Sequence, residues 1–189
     1  CAVSGYFGLD IGTADLAPTL HDWIADGTAT ARVTERLRDG SFGELLHEQW
    51  PYQAAVAAER GLQLVMYEGG THVVGLGDVT ADDDVTAFFT TYNYSAEMAA
   101  LYAELIAAWR DLGDTVPVGP FNAFVDVAAP SRWGSWGALR HLDDMNPRWA
   151  TLVAWNSLPA GTAMRAPDAF LHGVIRQGGD IGDLIGGTP

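Results

Sequence analysis

The chain has 189 residues, of which 48% are hydrophobic and 11% aromatic, which is enough apolar material for the core of an ordinary domain. Ten basic against 24 acidic residues give a formal net charge of -14. This charge repels phosphate backbones and anionic membranes, so we expect neither a nucleic-acid partner nor a membrane partner. The five histidines lack HExxH or HxH spacing and Cys1 is the only cysteine, which disfavours a metal site and an intrachain disulfide.

The chain begins at Cys1, without an initiator Met and without the basic and apolar segments of a signal peptide. We therefore expect a processed or partial chain. A lipid-modified Cys1 is an alternative, but the AVSGYFG that follows it is typical of a strand rather than a tether.

Three short apolar runs predict β-strands. AVSGYFG covers residues 2–8, LQLVMY covers 62–67 and is followed by Glu68, and GPFNAFVDV covers 119–127. The segments between these runs are long enough to cross over between parallel strands.

Helical patterns fill the connections. ATARVTERLRD (29–39) and SFGELLHEQWPYQAAVAAERG (41–61) precede the second strand, and Pro51 should kink or split the latter. SAEMAALYAELIAAWRDLG (95–113) has the clearest helical period, with a serine cap and a terminal glycine. NPRWATLVAWN (146–156) predicts a short helix with proline in its first turn.

This alternation predicts an α/β fold with parallel strands that are buried on both faces. Three such units do not close a barrel and would leave long unpaired edges, so the chain is expected to be part of something larger.

The sequence changes character at about Leu158, which divides it into residues 1–157 and a tail, 158–189. LPAGTAMRAPDAF is a connector, and QGGDIGDLIGGTP is close to the glycine-aspartate nonapeptide repeat of calcium-binding β-rolls. Ile181 interrupts the spacing and about one repeat is present, so a polar linker is an equal alternative to a Ca²⁺ site.

Glu68 is the first candidate for chemistry, because ligands bind at the carboxyl ends of parallel strands. Gly69 and Gly70 would permit a tight turn and the close approach of a ligand. The alternative is that Glu68 caps a helix or pairs with an arginine.

Aromatic side chains follow the other two strands: Tyr6 ends the first, and Trp133 and Trp136 follow the third. Flat aromatic faces beside a carboxylate suit sugar rings, so the predicted ligand is a polysaccharide or oligosaccharide. Trp50, Trp109 and Trp149 fall on helical patterns and are expected to serve packing.

Part of the chain resembles the last third of a (β/α)8 TIM barrel of the glycoside hydrolase superfamily whose catalytic Glu residues end strands 4 and 7. The resemblance rests on YEGGTH after LQLVM, on the helix ALYAELIAAWRDLG, and on the strand leading to SRWGSWGAL. The resemblance spans roughly residues 2–157 and implies that Glu68 is the nucleophile. It implies an aromatic sugar platform at Trp133 or Trp136, with the choice open. Tyr6 and His72 would orient sugar or carboxylate.

The acid/base Glu of that family has no counterpart here, since it would belong to the missing N-terminal part of the barrel. Asp126, near the end of its strand, is a candidate substrate-binding acid, and Asp82–Asp84 are expected in a loop or helix start. The whole protein is expected to be a secreted bacterial glycosidase that needs no cofactor for catalysis, and this chain alone is expected to be inactive. The alternative is a non-catalytic carbohydrate-binding or surface protein, whereas an α/β-hydrolase is disfavoured because GxSxG is absent.

Overall fold

The fold is organised around two parallel strands, in a computed structural model that describes residues 1–158. Strand β1, Ala2–Phe7, pairs in parallel with β2, Val65–Thr71, and helices fill the crossover between them. The mixed α/β class with parallel strands is therefore confirmed. The tail from residue 159 onward, including the predicted calcium-binding repeat, lies outside the described residues.

Strand β2 starts and ends later than the apolar pattern predicts. The expected strand was 62–67 with Glu68 after it, but β2 continues through Glu68 to Thr71. The continuation is possible because Gly69 lies against the backbone of Gly5, where a Cβ would come within 2.8 Å of the Gly5 carbonyl oxygen. Paired glycines thus extend the ladder beyond the last large apolar residue.

The predicted third strand, 119–127, is not a continuous strand, and its last residue, Val127, bridges to Leu139. Two parallel bridges, Leu64 to Val118 and Gly69 to Ala123, join this part of the chain to β2 and to the residue before it. Between these bridges Pro120 has no N–H to donate. The Asn122 side chain, rather than a backbone amide, donates to the Met66 carbonyl at 2.8 Å. The ladder is interrupted for these reasons, but the segment still lies along the edge of β2 that β1 leaves free.

Residues 1–158 contain seven α-helices. They are α1 Ala17–Ala25, α2 Ala29–Asp39, α3 Ser41–Glu44, α4 Trp50–Glu59, α5 Asp83–Asn93, α6 Ala96–Asp111 and α7 Pro147–Asn156. Helices α2, α6 and α7 confirm their predictions, and α6 continues as a 3-10 turn, Leu112–Asp114. Helices α1 and α5 were not predicted, and a further 3-10 turn, Gly77–Ala81, precedes α5.

Side chains cap the starts of α5, α6 and α7. The side chain of Ser95 accepts from the amide of Met98 at 3.2 Å, and Asn146 caps α7 in the same way. Asp82 accepts from the Val85 amide at 3.1 Å, so the acidic triplet is a helix start as expected. Pro51 is accommodated by a π-helical turn, Leu45–Gln49, between α3 and α4.

The helices cover only one face of the strands. Val3, Phe7 and Met66 are buried on that face, where Trp50 and Trp109 meet edge to face with ring centroids 5.3 Å apart. Trp50 and Trp109 are therefore packing residues, as predicted. The other face, with Ser4 and Tyr67 exposed, is left uncovered by residues 1–158, so the expectation of burial on both faces is wrong for this part of the chain. In the described segments no helix is long and apolar enough to cross a membrane.

Candidate functional site

Glu68 lies on the uncovered face of β2, beside a β-bulge. Val3 pairs with Met66 but the next residue, Ser4, pairs with Glu68, so Tyr67 is the extra residue of the bulge. The bulge turns Tyr67, which is 67% exposed, and the half-buried Glu68 toward the face that carries Ser4. Bulges re-aim side chains in this way and are frequent beside active sites.

Asn122 fixes the bulge from the neighbouring segment. Its side-chain amide donates to the Met66 carbonyl at 2.8 Å and lies 3.4 Å from the Tyr67 carbonyl, and its own carbonyl accepts from the Gly69 amide at 3.0 Å. The backbone on both sides of Glu68 is therefore held by one residue. This role was not predicted, because an Asn in an apolar run carries no sequence signal for a bulge partner.

Tyr6 lies beside Glu68. Burial first, and then the Glu68 carboxylate beside the phenol, raise the pKa of Tyr6 above its ordinary value. The phenol therefore keeps its proton at neutral pH. A protonated Tyr6 hydroxyl can donate to the Glu68 carboxylate and orient it.

Four aromatic rings, including that of Tyr6, form a group at this place. His72 and Trp136 are closest, with ring centroids 4.7 Å apart, and Tyr6 lies 5.8 Å from His72 and 6.3 Å from Trp136. Phe124 completes the group at 6.5 Å from Tyr6 and 6.2 Å from Trp136. We call these four residues the aromatic quartet. All the contacts are edge-to-face, the arrangement that aromatic quadrupoles favour.

The quartet brings together residues from three different chain segments. Tyr6 is on β1, His72 directly follows β2, and Phe124 and Trp136 belong to the segment beside β2 and the loop after it. Phe124 is 41% exposed and was not singled out from the sequence, where it reads as one more apolar residue of the third strand. The peptide bond between Phe124 and Val125 is cis.

His72 is fixed by its backbone and is half-buried by its neighbours. Its amide donates to the Phe7 carbonyl at 2.6 Å, which ties the end of β2 to the end of β1. Burial lowers the pKa of His72 below its ordinary value. The imidazole is thus neutral at pH 7 and offers one donor and one acceptor.

The structure separates the two tryptophans between which the sequence left the choice open. Trp136 belongs to the quartet, whereas Trp133 is 61% exposed and lies under the guanidinium of Arg132 at 4.7 Å. The two are linked by a hydrogen bond from the Trp136 indole to the Trp133 carbonyl at 3.1 Å. Of the two, Trp136 is therefore the one that packs against Tyr6, the residue beside Glu68.

The remaining predicted acid, Asp126, is exposed, and its backbone carbonyl accepts from the Leu139 amide at 2.9 Å. No contact places its side chain in the quartet. Within residues 1–158, no three His, Cys, Asp or Glu side chains are grouped so that they could hold a metal ion.

Gly69 and Gly70 allow other parts of the protein to pack closely against β2. Gly70 has a φ of 142°, and a Cβ there would lie 2.5 Å from the Tyr102 hydroxyl. At Gly69, the backbone of Gly5 occupies the space that a Cβ would need. The interpretation that they clear space for a ligand is therefore wrong, because neighbouring protein atoms occupy that space.

The two simpler roles for Glu68 do not fit its surroundings. It lies inside a strand, so it cannot cap a helix. None of the ion pairs found in residues 1–158 includes it. Neither alternative therefore describes Glu68 within residues 1–158.

Comparisons with known proteins add no information: no family model, no curated protein and no solved structure matches the chain. Any assignment of function therefore rests on the site alone.

Proposed function

We propose that residues 1–157 form the last three β/α units of a (β/α)8-barrel glycoside hydrolase or a closely related polysaccharide-active protein, with Glu68 as nucleophile. One observation carries the proposal: the half-buried Glu68, inside β2, lies beside Tyr6, whose ring belongs to the aromatic quartet near the carboxyl ends of β1 and β2. Active sites of such barrels lie at this end of the strands.

The topology supports the barrel. β1, β2 and the segment around Ala123 are neighbours in sequence order, all parallel, with helical crossovers. The second edge of β1 is unpaired, and one strand face is uncovered, within residues 1–158. The N-terminal strands of a barrel would pair with that edge and cover that face, so the partner of this surface is the N-terminal part of the same barrel.

In this proposal Glu68 attacks the anomeric carbon and forms a covalent glycosyl-enzyme, which water then hydrolyses. Tyr6 donates a hydrogen bond to the carboxylate and keeps it oriented. A retaining mechanism needs a second carboxyl group about 5 Å away to protonate the leaving oxygen. That group comes from the N-terminal part, so this chain alone is inactive.

The quartet supplies the sugar-binding surface. The partly exposed faces of Trp136 and Phe124 suit the C–H groups of a pyranose ring, and neutral His72 can hydrogen bond to a hydroxyl. The substrate is accordingly a polysaccharide outside the cell. The glycine- and aspartate-containing tail is a candidate for Ca²⁺ binding in the complete protein, with a polar linker as the alternative.

A second candidate is a non-catalytic carbohydrate-binding or surface protein with the same barrel. It is favoured because aromatic rings can bind a sugar without a second carboxyl group, whereas hydrolysis needs one. Among residues 1–158, Glu68 is the carboxylate beside Tyr6.

The test uses the complete open reading frame and a panel of β-linked polysaccharides. Glu68→Gln should lower hydrolysis by about 1,000-fold or more, since nucleophile removal has effects of this order. Glu59→Gln, at an exposed position at the end of α4, is the matched control and should leave the rate unchanged. Unchanged hydrolysis by Glu68→Gln would remove Glu68 from the mechanism. Binding without hydrolysis by the unmodified protein would establish the second candidate.

A further inference from the structure

Arg148 is the most unusual buried residue outside the site. It is completely buried at the second position of α7, and none of the carboxylates in residues 1–158 pairs with it. A cation in the first turn of a helix is disfavoured by the helix dipole, and a buried charge is costly unless it is hydrogen-bonded. Such an arrangement needs a compensating role.

The hydrogen bonds of Arg148 go to the loop that carries Trp136. Both terminal nitrogens donate to the Ser135 carbonyl at 3.1 Å, and one of them also donates to the Gly137 carbonyl. These are the residues immediately before and after Trp136. One guanidinium therefore holds the backbone on both sides of the tryptophan.

The faces of the same guanidinium lie on two tyrosine rings, Tyr94 at 4.6 Å and Tyr102 at 5.6 Å. The Tyr94 hydroxyl donates to the Gly137 carbonyl at 3.1 Å. The Tyr102 hydroxyl accepts from the amide of Thr71, the last residue of β2, at 3.0 Å. Arg148 thus lies between the Trp136 loop and the strand that carries Glu68.

We propose that Arg148 is a positioning residue that sets the place of Trp136 relative to Glu68. It clamps the carbonyls of Ser135 and Gly137 and packs against Tyr102, which also bonds to the end of β2. This inference rests on the proposed function for its biological meaning, but its geometry does not depend on any sugar. It adds a determinant of substrate placement that lies outside the aromatic quartet.

The clamp requires the planar fork of arginine. Guanidinium presents several N–H groups in one plane, so it can reach two carbonyls while its faces lie against aromatic rings. A lysine ammonium is a compact point charge and cannot do both. Arg148→Lys therefore keeps the charge but loses the two-sided hold on Trp136.

The experiment labels the full chain with 5-fluorotryptophan and follows the seven tryptophan resonances by ¹⁹F NMR, with Trp136→Phe to assign the signal of interest. Arg148→Lys should shift or broaden the Trp136 resonance while those of Trp50 and Trp109 stay in place. Arg132→Lys is the matched control, because Arg132 is in the same loop but stacks on exposed Trp133. It should leave Trp136 unchanged.

Arg148→Gln is a second variant, which is uncharged, shorter and carries two N–H donors instead of five. An unchanged Trp136 resonance in either folded Arg148 variant would overturn the proposal. Failure of both variants to fold would also overturn it, because Arg148 would then support the whole unit rather than one loop.

A second measurement separates this inference from the proposed function. The complete protein is titrated with cellohexaose, laminarihexaose and chitohexaose. Whichever sugar binds the unmodified protein should bind the Arg148→Lys variant about 10-fold more weakly, which is the scale of one lost stacking contact. If no sugar binds the unmodified protein, the proposed function fails, while the NMR result still decides the role of Arg148.

Discussion

The two faces of the strands have opposite characters, although they are built from alternating residues of the same short segments. The helix-facing side consists of Val3, Phe7 and Met66, all buried in one apolar cluster. The open side carries Ser4, Tyr6, Tyr67 and Glu68, polar and aromatic groups at partial exposure. The first side is explained by stability alone, whereas the second is explained only by a ligand, by further strands that cover it, or by both.

The largest expected effect is a difference in unfolding free energy between substitutions on the two faces. Trp50→Ala removes a fully buried ring from the helix-facing side and should lower the free energy of unfolding by about 3–5 kcal/mol. Tyr67→Ala on the open side should change it by about 0.5 kcal/mol or less in the 189-residue chain. Urea denaturation followed by circular dichroism measures both.

Repeating the Trp50→Ala and Tyr67→Ala measurements in the complete protein tests the barrel proposal. The N-terminal strands would then bury Tyr67, so its substitution should cost more than in the short chain. Equal effects of Tyr67→Ala in both contexts would argue against any cover on the open face.

The next largest effect is the loss of stability on replacing Gly70, a glycine of β2. Gly70→Ala places a Cβ 2.5 Å from the Tyr102 hydroxyl at a positive φ, and should destabilise the chain by about 1–3 kcal/mol. Gly61→Ala is the control, since its φ is also positive, at 62°, but nothing lies within 4 Å of the added atom. Equal melting shifts for the two variants would show that the space beside Gly70 is not filled by Tyr102.

A smaller effect tests the choice between the loop tryptophans. In the complete protein, Trp136→Ala should weaken binding of the preferred β-linked hexasaccharide by about 10-fold, and Trp133→Ala by about 2-fold or less. The reason is that Trp136 stands in the aromatic quartet, and Trp133 stands outside it. Isothermal titration calorimetry gives the dissociation constants, and the reverse order would move the platform to Trp133.

The smallest effect is a pH dependence from His72. Its pKa in the folded chain is lowered by burial, so the unfolded chain binds the proton more readily. The contribution to stability is therefore present above the unfolded pKa of about 6.5 and is lost as the pH falls through the folded pKa. His72→Gln should flatten the decline in unfolding free energy below about pH 6.5. An unchanged slope would mean that His72 is not desolvated.

The sequence predicted the elements whose signals are local. Helix α6 had a period, a cap and a stop, and the first strand was an apolar run closed by Gly8. It also nominated Tyr6, Glu68, His72 and Trp136, because the ends of parallel strands meet at one edge. Glu68 nevertheless lies inside β2 rather than after it.

The missing parts depend on contacts between segments. The end of β2 was misplaced because Gly69 continues the strand only by packing on Gly5, a partner far away in the chain. Asn122 and Phe124 were missed because a bulge partner and a partly exposed ring look like ordinary strand residues. Arg148 was missed for the same reason, since its carbonyl partners lie in a loop without regular structure.

The most direct test of Glu68 is to trap the glycosyl-enzyme. The complete protein is incubated with an activated 2-deoxy-2-fluoro glycoside of the sugar that it hydrolyses, digested, and mapped by mass spectrometry. We predict a single glycosyl adduct on the carboxylate of Glu68, which should be absent in Glu68→Gln. Hydrolytically active protein that carries the adduct on another carboxylate would contradict the assignment of Glu68 as the nucleophile.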